Sequence, residues 1–182
     1  MTSQNKILFI ADALHTLKTK SDTSLALAES ALALGYKVYW CEKKDISYVG
    51  HGIFVNHLFL VNEITLENIH FSQVEGAIAF NEFSCCFIRT DPPFDDSYRD
   101  MCWILNSQTQ VTIYNSPASL LNFHEKSLHW RAQADGFLKW EESIPTCVSN
   151  HVSVAKNFIL KKEFSKQNKF IVKPWLGHGG ES

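Results

Sequence analysis

Lys6-Ile7-Leu8-Phe9-Ile10-Ala11-Asp12 is an apolar run opened by a lysine and closed by a carboxylate. A strand buried on both faces reads as an unbroken apolar run, whereas a half-exposed strand alternates, so this stretch predicts a central strand of a parallel sheet. Residues 13–20 are polar and read as a loop. Ser21 or Asp22 then stands where it can cap a helix whose Leu25, Ala28 and Leu32 form one apolar stripe and whose stop is Gly35. Residues 38–41, Val-Tyr-Trp-Cys, read as a second strand. Strand, loop, helix, strand is a βαβ unit, and ligands of such sheets gather at the carboxyl ends of the strands. Asp12, His15 and residues 18–23, with Ser21 and Thr23 among them, are therefore candidates for ligand contact, turn and capping roles being the alternative for each.

The chain has 182 residues, 45% of them apolar and 20% charged, with a net charge of −2. That is the composition of an ordinary globular protein, with no broad attraction to nucleic acid or anionic membrane. Cys41, Cys85, Cys86, Cys102 and Cys147 are odd in number and lack a Cys-x-x-Cys spacing, as expected of reduced thiols in a cytoplasmic protein. No signal-type apolar run precedes Lys6, and no stretch approaches the ~18 apolar residues of a membrane span.

Farther along, Gly50-His51-Gly52 has Val55 where a dinucleotide fingerprint needs its third glycine, so that reading is rejected. Residues 53–61 predict an excursion of extended structure, residues 66–74 a short helix, and residues 77–80 and 85–89 strands. His51, His57 and His70 lack metal-type spacing. In Arg89-Thr90-Asp91-Pro92-Pro93-Phe94-Asp95-Asp96, the arginine stands at a strand exit, where its fork of donors can grip a carboxylate or phosphate. The alternative is a rigid turn in which Arg89 pairs with Asp91. The aspartates hint at Mg²⁺, but nothing fixes their geometry, and no metal is assigned there. Asp95 or Asp96 can cap a helix running to about residue 107.

Residues 111–114 read as a further strand, ended by Asn115-Ser116-Pro117, which opens a helix. Residues 120–134 are helical in pattern. His124 and His129 lie five apart, so they do not converge as zinc-protease histidines four apart do. Residues 144–146 predict a strand, residues 150–162 a helix with Val154 and Phe158 on its apolar face, and residues 170–173 a strand carrying Lys173 to its exit. Lys161, Lys162, Lys166 and Lys169 read as a solvated helix end. Gly177-His178-Gly179-Gly180 follows, a loop whose backbone can approach a ligand closely and whose N–H groups suit a polyphosphate; a glycine-rich hairpin or frayed end is the alternative. A domain boundary is expected near Asn115.

Three separated stretches resemble bacterial glutathione synthetase: residues 89–95, then Asn115-Ser116-Pro117 with Glu125-Lys126, then Lys173-Pro174 with Gly177-His178-Gly179-Gly180. The lysines and glycine loop on their own resemble only the wider ATP-grasp superfamily. The resemblance implies an α/β fold: a Rossmann-like, pre-ATP-grasp domain with a mostly parallel sheet over residues 1–115, then the beginning of an α+β ATP-grasp domain over residues 116–182, cut within its glycine loop. It implies an enzyme that phosphorylates the glycine-end carboxylate of γ-glutamylcysteine with MgATP and lets the amine of glycine attack the acyl phosphate. Lys126 and Lys173 match the family's ATP-binding lysines, and Gly177, His178, Gly179 and Gly180 its mobile loop. Arg89, Asp91, Ser21 and Thr23 are the substrate-binding candidates. His124 stands where the family has asparagine, and His178 where it has methionine.

The Mg²⁺ ligands belong to family sequence beyond the glycine loop, so these residues alone are expected not to turn over. The expected partners are ATP, γ-glutamylcysteine and glycine, with no nucleic acid or membrane, in a cytoplasmic protein that is a homo-oligomer when complete. A non-catalytic binding or regulatory module, and an ATP-grasp ligase for another acid and amine, stay open as alternatives.

Overall fold

A computed structural model describes residues 5–161 and 170–175. The chain divides into two compact units, residues 1–122 and 123–182.

In the first unit, β1 (Lys6–Ile10) leads through a loop to α1 (Thr23–Ala33) and β2 (Lys37–Cys41). Three antiparallel-paired segments follow: β3 (Ile46–Val49), β4 (Gly52–Val55) and β5 (Phe59–Ile64). After β6 (Ile69–Gln73) and β7 (Ile78–Ala79), β8 (Cys85–Ile88) returns to the centre. α2 (Asp96–Asn106), β9 (Thr112–Tyr114) and α3 (Pro117–Asn122) complete the unit. The large sheet has the order β6-β5-β2-β1-β8-β9, and a small one has the order β3-β4-β7. β1 runs parallel to both β2 and β8, and β8 parallel to β9, while β5 and β6 join as antiparallel strands. This is the mixed α/β, Rossmann-like architecture expected from the βαβ opening.

Each local choice has a visible cause. Asp22 caps α1, its carboxylate accepting the N–H groups of Ser24 (2.7 Å) and Leu25 (3.1 Å). Gly35 ends the helix at φ +82°, a left-handed conformation in which a side chain is strained, and lets Tyr36 N–H reach back to the Ala31 carbonyl at 3.0 Å. The unbroken apolar run of β1 is buried on both sides, as predicted. Ile7 and Phe9 face the layer that α1 closes with Leu25 and Ala28, whereas Leu8 and Ile10 face the layer of Tyr98, Met101, Cys102 and Leu105 from α2. Across the sheet, Trp40, Phe9, Phe87 and Tyr114 stand opposite one another in register and stack at 5.2, 5.1 and 5.0 Å. Each such contact is worth about 0.5–1.5 kcal/mol beyond area burial, so the row fixes the register of four strands just before their exits.

Several expectations are corrected. Residues 66–74 hold no helix: Thr65 and Asn68 close a turn, and Ile69–Gln73 pairs with β5 as a strand. Residues 53–61 are extended as expected, within β4 and β5, but are divided between the two sheets, with His57 at φ +46° in the connection. Residues 120–134 are two helices rather than one, because His124, at extended φ and ψ, starts a tight turn over Glu125–Ser127 before α4 (Leu128–Ala134).

The second unit also contains α5 (Val152–Ile159), but residues 144–146 and 170–173 are not strands. A strand exists only as one side of a ladder, and none is present among the described residues of this unit. Gly177, His178, Gly179 and Gly180, with Lys162, Lys166 and Lys169, lie outside the described residues. All five cysteines are thiols, with Cys41, Cys86 and Cys102 buried. No helix among the described residues is long and apolar enough to cross a membrane.

Candidate functional site

The parallel strands deliver Asp12, Arg89 and Asn115 to one edge of the sheet. Arg89 is tied down by its own backbone, whose N–H donates to the Ile10 carbonyl at 2.8 Å, and Thr90 hydroxyl, buried, donates to the same carbonyl at 3.3 Å. From that anchor the guanidinium crosses to the start of α1: Nη2 donates to Thr23 Oγ1 at 2.7 Å, and Nε to Ser24 Oγ at 3.3 Å. The alternative of an Arg89–Asp91 pair is not what forms. Among the described residues no carboxylate lies within ion-pair distance of Arg89, so two neutral hydroxyls orient its charge without neutralising it.

Opposite charge stands close by. Asp12 is fixed through its backbone carbonyl, which accepts Trp40 Nε1–H at 2.8 Å, and its carboxylate accepts the Asp91 N–H at 3.4 Å. Burial raises the Asp12 pKa above the usual carboxylate value; the Asp91 N–H opposes this, the Asp91 charge adds to it, and Lys43 and Asp22 act more weakly. Lys43 grips both oxygens of Asp95 at 3.0 and 2.9 Å, and Asp95 in turn caps α2 through Tyr98 N–H at 2.9 Å. The Tyr98 hydroxyl is pushed up to about 12, by burial first and then by the charges of Cys102, Asp91 and Asp12. An uncompensated guanidinium beside a carboxylate at a strand exit is suited to a zwitterionic small molecule, with the arginine taking its carboxylate.

Ser21 is not part of this group. Its N–H closes a turn on Lys18, and it lines a shallow cleft of ≈ 520 Å³ with Lys18, Thr19, Lys20, Leu66 and Glu67. His15 is exposed. A cavity of ≈ 670 Å³ around Asn56, His57 and residues 73–77 is lined by none of the strand-exit side chains. In the second unit, Lys126 Nζ donates to the carbonyls of Pro174 and Trp175, each at 2.9 Å, so its ammonium sits one residue past the exposed Lys173. Among the described residues no three His, Cys, Asp or Glu side chains are gathered as metal ligands.

The family model of the prokaryotic glutathione synthetase N-terminal domain matches residues 6–120. The chain belongs to that family. The matched region holds every strand of the large sheet and the whole Arg89 group. The chain is similar to the glutathione synthetase of Ralstonia nicotianae, 25% identical over 177 residues that make up 96% of this chain and 51% of the relative. It is 28% identical to that of Wigglesworthia glossinidia brevipalpis over 182 residues, with 97% and 52% of the two chains covered. It is 29% identical to that of Nitrosomonas europaea over 182 residues, covering 96% and 52%. The chain thus spans about half the length of the curated relatives it matches.

Within this glutathione synthetase N-terminal fold, the reading from residue types missed Ser24, Lys43 and Tyr98. The strand-exit rule that found Asp12 and Arg89 points equally at Lys43, two residues past β2. Ser24 lies one residue past the stretch 18–23 singled out after β1, although the run Lys20-Ser21-Asp22-Thr23-Ser24 shares in the family resemblance.

Proposed function

We propose that the chain is the N-terminal part of an ATP-dependent ligase of the glutathione synthetase type, joining γ-glutamylcysteine to glycine. The match of residues 6–120 to that family's N-terminal domain carries this reading, and the Arg89 group gives it a physical basis inside the matched region. In the reaction, an oxygen of the cysteinyl carboxylate takes the γ-phosphoryl group of ATP and ADP leaves. The amine of glycine then attacks the acyl carbon, and phosphate departs as the amide forms.

Residues 1–115 are the proposed substrate-side domain and residues 116–182 the opening of an ATP-grasp domain. Arg89 holds a substrate carboxylate and Thr23 sets its angle, while Asp12 and Asp91 supply the negative charge that an α-ammonium needs. Lys126 and Lys173 direct their ammonium groups at the ATP phosphates, and Gly177, His178, Gly179 and Gly180 close over them. Such lysines orient a nucleotide without forming a reaction centre. Mg²⁺ neutralises charge on transferring phosphoryl groups in ligases of this kind. By the family resemblance its holders are assigned to sequence that follows the glycine loop in such ligases, and no step is drawn through it. Small molecules in the cytoplasm are the proposed partners, and a homo-oligomer the complete form.

The test is ADP release by the full-length protein with MgATP, each substrate being omitted in turn. Release that needs both γ-glutamylcysteine and glycine, with glutathione identified by mass, is the expected result. Release with a different acid and amine only, or saturable peptide binding without any ATP binding, overturns it in favour of another ligase or a non-catalytic module respectively.

A further inference from the structure

His124 contacts Lys126 at its backbone and is linked to its ammonium through Trp175. Its imidazole Nδ1 accepts the Lys126 backbone N–H at 3.2 Å, capping the tight turn over Glu125–Ser127. Its ring lies flat on Trp175, with centroids 4.3 Å apart and planes 14° apart, and Trp175 also stacks with Trp130 at 5.8 Å and 9°. Trp175 is the residue whose carbonyl, with that of Pro174, accepts the Lys126 ammonium at 2.9 Å. The imidazole therefore holds the root of the lysine directly and holds its tip through the aromatic stack. Two hydrogen bonds of the ammonium go to this one backbone segment. The lysine side chain is 19% exposed, and its ammonium also lies 3.9 Å from Glu125 Oε1.

We propose that His124 is a positioning residue for Lys126, fixing where the ammonium meets a nucleotide phosphate by capping its turn and clasping Trp175. This inference rests on the reading of Lys126 as an ATP-binding lysine. It assigns a task to a histidine that the family resemblance marks only as a departure from asparagine. The two contacts are chemically separable. Phenylalanine keeps a ring for the stack but offers no acceptor, whereas asparagine keeps an acceptor for the cap but offers no ring.

The experiment measures the ATP dissociation constant of the full-length protein and of its His124→Phe, His124→Asn, His124→Ala and Lys126→Ala variants. The far-ultraviolet exciton signal of the tryptophan stack is recorded alongside, with Trp175→Phe as the blank. His124→Phe and His124→Asn are each expected to bind ATP about three- to five-fold more weakly, the loss of one cap or one stacked pair. His124→Ala is expected to lose about the product of the two, roughly ten- to twenty-five-fold. The exciton signal should persist with phenylalanine and change with asparagine and alanine. ATP binding within two-fold of the parent for all three His124 variants, while Lys126→Ala binds poorly, overturns the positioning role and leaves the reading of Lys126 standing. Parental binding by Lys126→Ala overturns that reading and this inference with it.

Discussion

Arg89→Ala is expected to separate substrate recognition from everything else the first unit does. The guanidinium is held by Thr23 Oγ1 at 2.7 Å and Ser24 Oγ at 3.3 Å, with no carboxylate partner among the described residues, so its charge is available to a ligand. A hydrogen bond to a charged group contributes about 1.5–3 kcal/mol, and every ~1.4 kcal/mol is ten-fold in affinity. Arg89 is half-buried, which places the expected loss at the lower end, about ten-fold in the dissociation constant for γ-glutamylcysteine.

Arg89→Lys should recover little of this, because an ammonium lacks the fork needed to hold two hydroxyls and a carboxylate together. Thr23→Val removes the shorter anchor and leaves the charge, and is expected to cost about two- to five-fold. Calorimetric titration of the full-length variants with γ-glutamylcysteine measures each effect, and a parallel titration with ATP reports whether the rest of the protein is intact. Parental peptide affinity in Arg89→Ala refutes the assignment. So does an equal loss of peptide and ATP affinity, which would place Arg89 among the residues that merely hold the fold.

The remaining predictions concern stability and pH. Phe9→Ala empties a fully buried position between Trp40 and Phe87, and should cost about 3–5 kcal/mol in urea unfolding. Asp22→Ala removes the acceptor for the Ser24 and Leu25 N–H groups and should cost about 1 kcal/mol by the same measurement. Asp12, whose pKa burial raises in the fold, destabilises the native state once it is ionised. Its penalty is absent at low pH, where the carboxyl is protonated both folded and unfolded, and grows as pH rises through the folded value. Asp12→Asn should therefore raise the urea midpoint at about pH 7 and leave it unchanged at about pH 3; equal shifts at both would mean the effect is not electrostatic.

That penalty connects with what could be read from residue types. The opening βαβ unit was legible because its signals are local: an unbroken apolar run, Asp22 as a cap and Gly35 as a stop all act within a few residues of themselves. β6 was missed because its support is not local. Ile69, Phe71 and Gln73 gain their ladder from β5, and only the period-two alternation in Ile69-His70-Phe71-Ser72 betrayed it.

The candidate site divides in the same way. Asp12 and Arg89 follow from strand exits, a rule that needs only the strands, whereas the partners that orient them come from 65 and 66 residues away in the case of Ser24 and Thr23. The stack of His124 on Trp175 spans two helices and the segments between them, and no spacing rule links its members. In both units the charged group was visible in the sequence; of the neutral groups that aim it, Thr23 was named, while Ser24 and the carbonyls of Pro174 and Trp175 were not. A guanidinium aimed by hydroxyls is fixed in position by dipoles that do not cancel its charge, whereas the Lys126 ammonium is held by the carbonyls of Pro174 and Trp175 with the Glu125 carboxylate 3.9 Å away. Where the sequence shows an arginine or lysine at a strand exit or beside a cap, the neutral side chains facing it are thus the next residues to substitute, since they change direction before they change charge.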